Sequence, residues 1–594
     1  MNIWITRLGS SPFSESDINR IRQLAQNLPS LRYHDIVRHS TEGIDYAAIC
    51  TPADRSNKSY HHKSGDTLFA YSGLPVDKRT GEDDFRSAGN LWEKGKSPVE
   101  IAEAVAGQFA LFTLSGSRFE CITDCLGSYK VFWYQAKDQT VYVSNYLPFI
   151  QLFKPSQPNI EFLANWVAAS GTYGCATEEE QVFTLPEFGR LTWSPKMGLH
   201  TEPYHKLSSL VLPESSYDEL VNLTAKEWRD SARYLVSRHE VAVSLSGGYD
   251  SRLVLNMFRG LDSSRIESYT YPDHTYDIQL AKAVAADHGF PHEVLTPENG
   301  LPSLEEAHQF TVQNSYPFLC YSNVTSSLFA KKIYDIFSDH KKVKITGDGG
   351  DTHLGIKKFK RAAQQIGTEA IHTLADSLIR KEILTADGLH RVRSGLISHY
   401  SDKYLPFLPD HKPAEKLPTL HYYLERFANY QSYKLIHTRL LSDLFFAYGN
   451  ENFLRSVFSA PVRELIRPEK NSLHHRLSRA FTNGEDKPIP FSKNLHWEAE
   501  PWDKLQFRVQ RKHVRPWMEK LFGTKEKFSR RVQREFFSAN QSRYREILAS
   551  TPNSGLWDYL DRDVISGWLS DGHPVPDKNM KVLSRVVPLV KEGF

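Results

Sequence analysis

Two glycine-rich stretches of this sequence contain the residue types that bind phosphate groups. The first is Ser246-Gly-Gly-Tyr-Asp-Ser251, between an apolar strand-like run at 241–245 and a helical pattern at 252–258. A strand, a glycine turn and a helix in this order direct several backbone N–H groups and the positive end of the helix at one point, and the serine hydroxyls add donors. The pattern predicts an anion site suited to phosphate; the alternative is an ordinary strand-to-helix turn.

Aspartates in both stretches indicate a metal ion beside that phosphate. The second stretch is Thr346-Gly-Asp-Gly-Gly-Asp-Thr352. A carboxylate next to phosphates is favourable when Mg²⁺ lies between them, because Mg²⁺ is bound by one or two carboxylates together with phosphate oxygens. We therefore predict that Asp250 and Asp351 hold Mg²⁺. For the aspartates of the second stretch, the alternative is that they only cap a turn.

The elements around these stretches predict a parallel sheet. Strand-like runs alternate with helical patterns, and the runs lie at 241–245, 266–271, 292–295 and 343–346. This alternation implies parallel strands, and ligands bind outside the carboxyl ends of such strands. Both glycine-rich turns follow a strand, so we expect them to lie side by side. From residue 360 onward the composition is helical, with a long amphipathic stretch at 420–446.

The first third of the chain has a different pattern. Short β-like runs bounded by turn residues predict packed sheets there; they lie at 67–75, 107–113, 119–123 and 140–144. Since 594 residues exceed what one core can hold, we expect at least two domains. A serine-rich segment with Pro213 at 207–216 is the predicted boundary. The predicted domains are residues 1–206 and 217–594.

Composition excludes several classes of protein. The net charge is +3, from 73 basic and 70 acidic residues, which argues against nucleic acid as a partner. No apolar run approaches the roughly 18 residues that span a bilayer, and five scattered cysteines suit a reducing compartment. We expect a cytoplasmic protein with no membrane partner. Residues 501–550 hold 13 Lys and Arg against five Asp and Glu, which indicates either a solvated helical surface or a face for a peptide or acidic partner.

The two glycine-rich stretches resemble those of one enzyme superfamily. Residues 246–251 resemble the pyrophosphate loop of the asparagine synthetase superfamily, and residues 346–352 resemble its "S-G-x-G-x-D-E" loop, with Thr352 in place of the glutamate. Members split ATP into AMP and pyrophosphate while they activate a carboxylate as an acyl-adenylate. The resemblance implies ATP and Mg²⁺ as cofactors. The predicted nucleotide-binding residues are Ser244, Ser246, Gly247, Gly248, Asp250, Ser251 and Gly347.

The resemblance also implies two catalytic residues. Asp348 occupies the position where ammonia-using relatives carry a glutamate next to the acyl-adenylate, and is predicted to take a proton from the attacking amine. Lys493 lies where relatives place a lysine that faces the reacting phosphates. Lys487 and Lys470 are alternatives for that role, and a solvated surface position is the alternative for all three lysines.

The N-terminal runs resemble, in order, the amidotransferase domain of glutamine-dependent asparagine synthetases. The matching segments are Gly107-Gln-Phe-Ala, the segment at 124–134 and Val143-Ser-Asn. That domain hydrolyses glutamine with a cysteine exposed at the mature N-terminus. Here Asn2 follows Met1, and neither has a thiol or a hydroxyl. We therefore expect a degenerate domain that is retained as a scaffold and has no glutaminase chemistry.

Together these patterns and resemblances predict an α/β protein. A degenerate Ntn-type (αββα) amidotransferase-like domain precedes an α/β pyrophosphate-loop synthetase domain of the adenine nucleotide α-hydrolase-like kind, with a helical extension. The predicted function is an ATP-dependent, AMP-forming carbon–nitrogen ligase that closes an intramolecular amide. The chain resembles lasso peptide macrolactam cyclases and β-lactam synthetases, which implies a lasso peptide macrolactam as product, as in antibiotic biosynthesis.

Other functions and the partners stay open at this point. The expected substrate is a peptide or a small-molecule carboxylate, with a leader peptidase and a leader-peptide-binding protein as further partners. The near alternative is an ammonia-dependent asparagine synthetase-like or β-lactam-synthetase-like ligase that acts on a small metabolite or sugar acid. A non-catalytic binding scaffold is the distant alternative.

Overall fold

The structure is a computed structural model of the 594-residue chain. It describes residues 2–9, 11–26, 35–50, 61–78, 88–169, 171, 173–272, 275–297, 301, 303–306, 328–337, 342–350, 358–409, 411–431, 442–466, 473–481, 528–569 and 575–591. Several residues of the sequence predictions lie outside these ranges: Asp351, Thr352, Lys470, Lys487 and Lys493. The basic segment is described only from residue 528.

In the first third of the chain, the described residues form fourteen strands. They are β1 Asn2–Leu8, β2 Asp35–Thr41, β3 Ile44–Cys50, β4 His61–Ser64, β5 Thr67–Gly73, β6 Val76–Asp77, β7 Val105–Ala106, β8 Phe109–Ser115, β9 Arg118–Thr123, β10 Phe132–Gln135, β11 Val141–Ser144, β12 Val182–Thr184, β13 Gly189–Ser194 and β14 Gly198–Pro203. Two six-stranded antiparallel sheets result, with the orders β12-β10-β11-β1-β3-β2 and β14-β13-β9-β8-β5-β4. The helices of this part are α1 Glu15–Gln26, α2 Ala88–Glu93, α3 Pro98–Ala104, α4 Leu147–Gln151 and α5 Ile160–Ala169.

The two sheets pack face to face between layers of helix. Successive side chains of a strand point to opposite faces, so Trp4 enters the core between the sheets, while Ile5 packs outward in the core that contains Ile21 of α1. On the outer face of the second sheet, Leu111 packs with Ile101 of α3. This αββα arrangement confirms the predicted packed sheets.

The second half of the chain contains a five-stranded parallel sheet. Its strands are β15 Glu240–Ser244, β16 Ile266–Thr270, β17 His292–Val294, β18 Lys342–Thr346 and β19 Leu444–Phe446, in the order β17-β16-β15-β18-β19. The chain runs outward from β15 to β17 and then returns to the other side of β15. Ligands bind at such a switch point, outside the carboxyl ends of the strands. The parallel sheet that the alternating pattern predicted is confirmed.

Helices cover this sheet and form the extension. They are α6 Tyr217–Arg238, α7 Tyr249–Asn256, α8 Thr275–His288, α9 Ala330–Phe337, α10 Lys360–Ala363, α11 Gly367–Leu378, α12 Ala386–Tyr404, α13 Leu417–His421, α14 Glu451–Ser459, α15 Val462–Ile466, α16 Leu473–Phe481, α17 Phe528–Ser550, α18 Arg562–Gly567 and α19 Asp577–Lys591. A π-helix spans Tyr422–Gln431. Short 3₁₀ turns lie at Leu207–Leu210, Glu214–Ser216, Ser263–Arg265, Lys381–Ile383, Leu405–Phe407, Ala447–Gly449 and Gly555–Asp558. Across the described part of the chain, none of the helices could cross a lipid bilayer.

The sandwich and the parallel sheet meet through buried polar contacts. The side-chain amide of Gln108 accepts from the Phe446 N–H at 2.7 Å and donates to the Phe446 carbonyl at 3.2 Å. Lys78 Nζ lies 3.0 Å from Glu451. The predicted boundary segment forms two of the 3₁₀ turns, while the domain limits 1–206 and 217–594 stay a prediction.

Candidate nucleotide-binding site

The first glycine-rich loop leaves the central strand of the parallel sheet. Val241 and Val243 are fully buried, as expected for a strand covered on both faces. After β15 the backbone continues in register, because the Leu245 N–H donates to the Tyr269 carbonyl at 2.9 Å. The chain then turns at 246–248 and enters α7, with Gly248 as the N-cap residue. The N-terminus of α7 thus lies at the carboxyl end of β15.

Hydrogen bonds within the loop fix its shape. The Ser246 N–H donates to Ser251 Oγ at 3.0 Å, and the two serine hydroxyls lie 3.0 Å apart. The Gly248 N–H donates to Ser246 Oγ at 3.1 Å. Arg252, which is fully buried, donates from Nε to the Gly248 carbonyl at 3.2 Å. Ser246 and Ser251 therefore position the backbone of the loop in addition to any contact with a ligand.

The second glycine-rich turn packs directly against the first. A Cβ atom added to Gly347 would lie 2.7 Å from the Ser251 N and Cα atoms, and one added to Gly350 would lie 2.4 Å from Asp250 Cβ. Real Cβ atoms do not approach so closely, so glycine is required at both positions. The side-by-side arrangement predicted for the two turns is thus confirmed, with Ser244 between Tyr269 and Thr346 in the strand register.

Asp348 takes part in the second turn through its carboxylate. Thr346 Oγ1 donates to Asp348 Oδ2 at 2.6 Å, and the Asp348 N–H donates to Thr346 Oγ1 at 3.2 Å. These are local bonds of the kind that cap turns. Together with burial, which is the larger cause, the Asp348 charge raises the pKa of Tyr271. Asp348 thus caps its turn, and its role as a proton acceptor stays a prediction.

Two tyrosines from the helical part donate hydrogen bonds to the backbone of the two turns. The Tyr423 hydroxyl of the π-helix donates to the Gly349 carbonyl at 2.7 Å, and the Tyr448 hydroxyl donates to the Asp250 carbonyl at 3.0 Å. The Phe427 ring lies against Gly349, where an added Cβ atom would come within 2.8 Å. The backbone of each turn is therefore fixed by a side chain that lies far away in sequence.

The sequence analysis did not identify His474 as a neighbour of Asp250. Its Nε2 atom lies 3.1 Å from Asp250 Oδ1, and the two side chains are 11% and 26% exposed. It reaches Asp250 because α16 packs against α7, and its ring centroid lies 6.0 Å from that of Tyr448. No motif or spacing in the sequence joins residue 474 to residue 250, so only the fold could identify this contact.

Asp250 suits a magnesium ion that is shared with phosphate groups. Its carboxylate lies at the start of α7, beside the glycine loop at 246–248. Mg²⁺ is commonly bound by one or two carboxylates together with substrate phosphates, so this donor fits. Within the described ranges, no three His, Cys, Asp or Glu side chains form a metal-binding group. The other predicted metal ligand, Asp351, and the predicted catalytic Lys493 lie outside those ranges.

The structure brings most of the predicted site residues together. Those at the carboxyl ends of β15 and β18 are Ser244, Ser246, Gly247, Gly248, Asp250, Ser251, Gly347 and Asp348. They lie at one edge of the parallel sheet, with loop N–H groups, a helix N-terminus and a carboxylate. Such an arrangement can bind a polyphosphate and a cation next to it.

Comparisons with known proteins identify part of the chain. No curated protein matches it. Among solved structures, it is similar to the glutamine phosphoribosylpyrophosphate amidotransferase from B. subtilis complexed with ADP and GMP, at 9% identity and a TM-score of 0.23, over 51% of this chain and 69% of that one. It is also similar to a structure titled as the allosteric regulatory enzyme of purine biosynthesis, at 8% identity and a TM-score of 0.24, over 64% and 78% of the two chains. Scores this low support no argument.

The family comparison gives a firmer result. Residues 229–446 match the family model described as asparagine synthase. The matched range begins in α6 and ends with β19, so it contains the whole parallel sheet and both glycine-rich turns. Enzymes of this family are typically ATP-dependent ligases that use Mg²⁺. Residues 229–446 of this chain are therefore an asparagine synthase family domain.

Proposed function

We propose that this chain is an AMP-forming, ATP-dependent carbon–nitrogen ligase that closes an intramolecular amide, with the macrolactam of a lasso peptide as its product. The substrate is then a peptide with a free N-terminal amine and an Asp or Glu side chain. A leader peptidase and a leader-peptide-binding protein are the partners that we propose with it. This goes beyond the family assignment, which specifies an ATP-dependent amide ligase without a substrate.

The observation that carries the proposal is the contact between the two turns. Gly347 lies against the backbone of Ser251, and Gly350 lies against Asp250. The turn that contains Asp348 is thus held within a few ångströms of the phosphate loop. A nucleotide on the loop and a nucleophile near Asp348 would therefore meet at one edge of the sheet, which is the proximity that a two-step acyl transfer requires.

Both steps of the proposed reaction would take place at this edge of the sheet. The substrate carboxylate attacks the α-phosphorus of ATP, the bond to pyrophosphate breaks, and the acyl-adenylate forms. The loop N–H groups and the start of α7 stabilise the charge of the leaving pyrophosphate. Asp250 would hold Mg²⁺, and the ion would supply positive charge to the phosphates. The amine then attacks the acyl carbon, AMP leaves, and Asp348 takes the proton that the amine loses.

The source of the amine distinguishes this ligase from glutamine-dependent ones. Burial raises the pKa of the thiols of Cys121 and Cys125 in the sandwich. Burial also raises the pKa of Cys175 to about 11. Since the thiolate is the nucleophile, these three cysteines are poorly suited to glutamine hydrolysis. An amine that already belongs to the substrate has a high effective concentration and needs no such step.

The experiment measures where the nitrogen comes from. The protein is incubated with ATP, Mg²⁺, ¹⁵N-labelled ammonium and peptides that have a free N-terminus and an acidic side chain a ring's length away. We expect AMP and pyrophosphate, and a product that is lighter by one water, contains no ¹⁵N and resists exopeptidases. The Asp250→Asn variant should lose pyrophosphate release at least about a hundredfold, with an unchanged far-UV circular dichroism spectrum.

The other outcomes separate the rival functions. Incorporation of ¹⁵N with a small metabolite or sugar acid would favour the ammonia-dependent ligase. Cyclisation of a small β-amino acid in place of a peptide would favour the β-lactam-synthetase-like reaction. Release of ADP and phosphate would contradict adenylation itself.

A further inference from the structure

A series of contacts runs from the N-terminal sandwich to the second glycine-rich turn. It begins at Lys403 of α12, whose Nζ atom donates at 2.6 Å to Glu187, between β12 and β13. The same ammonium group donates to the Glu425 carboxylate at 2.8 Å and to the Leu424 carbonyl at 3.2 Å, and both acceptors belong to the π-helix. These three acceptors can use all three N–H donors of the ammonium group. Lys403 thus joins the sandwich to the π-helix.

The contact between Lys403 and the π-helix is a buried ion pair. The Lys403 side chain is 14% exposed and that of Glu425 is 1% exposed. Burial lowers the pKa of Lys403, but Glu187 and Glu425 outweigh it and raise that pKa above its usual value. Burial raises the pKa of the Glu425 carboxyl, but Lys403 and His399 outweigh it and hold that pKa well below its usual value. Both groups are therefore charged at neutral pH, and removing one partner of such a pair disturbs the structure around the other.

The π-helix extends this series of contacts to the second turn. Leu424, whose carbonyl accepts from Lys403, directly follows Tyr423, and the Tyr423 hydroxyl donates to the Gly349 carbonyl at 2.7 Å. Tyr423 and Leu424 are both fully buried. A π-helix of ten residues is unusual, because this geometry mostly occurs as a single turn. The contacts that neighbouring elements make with it therefore help to hold it in place.

The last contact fixes the peptide that follows Asp348. The Gly350 N–H closes the turn on the Gly347 carbonyl at 3.3 Å, while the Gly349 carbonyl accepts from Tyr423 outside the turn. Gly349 has a φ of +96°, and a glycine restricts its backbone less than any other residue does. The direction of this peptide thus depends on the hydrogen bond from Tyr423.

We propose that Lys403 is a positioning residue for amide formation: it holds the π-helix so that Tyr423 keeps Asp348 beside the phosphate loop. This proposal rests on the ligase function proposed above, in which Asp348 takes the proton of the amine. Lys403 lines a cavity of about 480 Å³ to which none of residues 246–251 or 347–350 contributes. It therefore acts on the site through the π-helix and not by touching the reacting groups.

The kinetic test uses the full-length protein and compares ATP–pyrophosphate exchange with amide formation. Lys403→Met should slow amide formation about tenfold, because a small misplacement of Asp348 is enough for such a loss. The KM for ATP and the rate of ATP–pyrophosphate exchange should stay within about twofold, since the phosphate loop keeps its own hydrogen bonds. Lys342→Met is the matched control and should leave both rates unchanged, because its 3.0 Å ion pair with Glu267 lies at the opposite end of β18 from the turn.

A double variant shows whether Lys403 acts through Tyr423. Tyr423→Phe removes the hydroxyl that bonds to Gly349 and should also slow amide formation about tenfold. If both changes break the same series of contacts, the double variant should again be about tenfold slower, whereas independent effects would multiply to about a hundredfold. Tyr204→Phe is the control, because the Tyr204 hydroxyl donates to the Thr123 carbonyl at 3.2 Å within the sandwich.

Hydrogen–deuterium exchange tests the positioning without a substrate. Peptides that contain residues 346–350 should take up deuterium about tenfold faster in Lys403→Met and in Tyr423→Phe than in the wild type and in Lys342→Met. Glu187→Gln removes only the charge that joins Lys403 to the sandwich, so it is the milder variant to use if Lys403→Met does not fold. It should raise the uptake of the same peptides about threefold.

Unchanged uptake in these peptides would refute the proposal, and so would kinetic effects of Lys403→Met and Tyr423→Phe that multiply. Faster uptake with an unchanged rate of amide formation would also overturn it, because the turn would then move without any effect on the reaction. If the wild type forms no amide, the ligase function is wrong, and deuterium uptake alone then decides whether Lys403 positions the turn. The two failures are therefore distinguishable.

Discussion

The imidazole of His474 contacts the carboxylate of Asp250, with Nε2 3.1 Å from Oδ1. Asp250 is the residue that we expect to hold Mg²⁺ beside the glycine loop, and the Tyr448 hydroxyl donates to its backbone carbonyl. Groups that orient a metal ligand commonly affect metal affinity about 10–100-fold. His474 is thus placed to keep the carboxylate in one orientation before the nucleotide arrives.

The first prediction concerns that contact. His474→Ala should raise the Mg²⁺ concentration that gives half-maximal pyrophosphate release by about 10-fold or more, because the Asp250 side chain gains rotamer freedom. His474→Gln retains an N–H donor and should recover part of the loss. The exposed His372→Ala on α11 is the control. A Mg²⁺ dependence that His474→Ala leaves unchanged would show that the contact has no role in metal binding.

The second prediction separates two roles of Asp348. Asp348→Asn keeps an oxygen that can accept the Thr346 hydroxyl, so the turn should persist, but an amide cannot take a proton. We expect amide formation to slow by about 10²-fold or more, with ATP–pyrophosphate exchange nearly unchanged, since exchange precedes amine attack. Thr346→Val removes the hydroxyl and is the matched control. Equal losses of both activities in Asp348→Asn would mean that Asp348 only shapes the turn.

The third prediction concerns the close approach at Gly347. In Gly347→Ala, the new Cβ atom would lie 2.7 Å from the Ser251 backbone, so the two turns must separate. A displacement of this kind should lower pyrophosphate release about a hundredfold. Gly395→Ala is the control, because its Cβ atom would meet nothing closer than 3.7 Å, and alanine favours a helix by about 1 kcal/mol. Full activity in Gly347→Ala would contradict the tight packing of the turns.

The fourth prediction is a pH dependence at the interface of the two halves. Burial raises the pKa of Glu227 to about 7, with Lys78 opposing the shift and Glu451 adding to it. A raised pKa in the folded state means that stability is fully present below the unfolded value of 4.5 and is lost as the pH rises through about 7. The loss is on the order of 3 kcal/mol.

Glu227→Gln should abolish this loss while retaining an acceptor for Asn452, which donates to Glu227 at 2.7 Å. The melting temperature of the variant relative to wild type should therefore rise between about pH 5 and pH 8. The exposed Glu219→Gln on the same helix should show no such trend. A difference that is constant with pH would contradict the raised pKa.

The placement of the two glycine-rich turns could be predicted because each directly follows a strand in the sequence. The loop at 246–251 and the turn at 346–350 each follow a strand, and the alternation of strands and helices was enough to place them side by side. The residues that support them could not be predicted, because Tyr423, Tyr448 and His474 reach the turns only through tertiary packing.

Tertiary contacts also determine part of the secondary structure, and that part could not be predicted from the sequence. The long amphipathic stretch expected at 420–446 is wrong at its end, where Leu444–Phe446 is a strand. Three residues are too few to show the alternation that marks a strand, and this one exists because it pairs with β18. The preceding part is a π-helix, Tyr422–Gln431, which the helical period of the sequence does not distinguish from an α-helix.

The contact between Gln108 and Phe446 joins the sandwich to the parallel sheet at β19. Among the strands that the structure describes, β19 is the last of its sheet, and exposed edge strands recruit other chains into sheets. The Gln108 amide occupies both the N–H and the carbonyl of Phe446, as a neighbouring strand would. The sandwich thus covers this side of β19, and we expect residues 217–594 expressed alone to self-associate more than the full chain does.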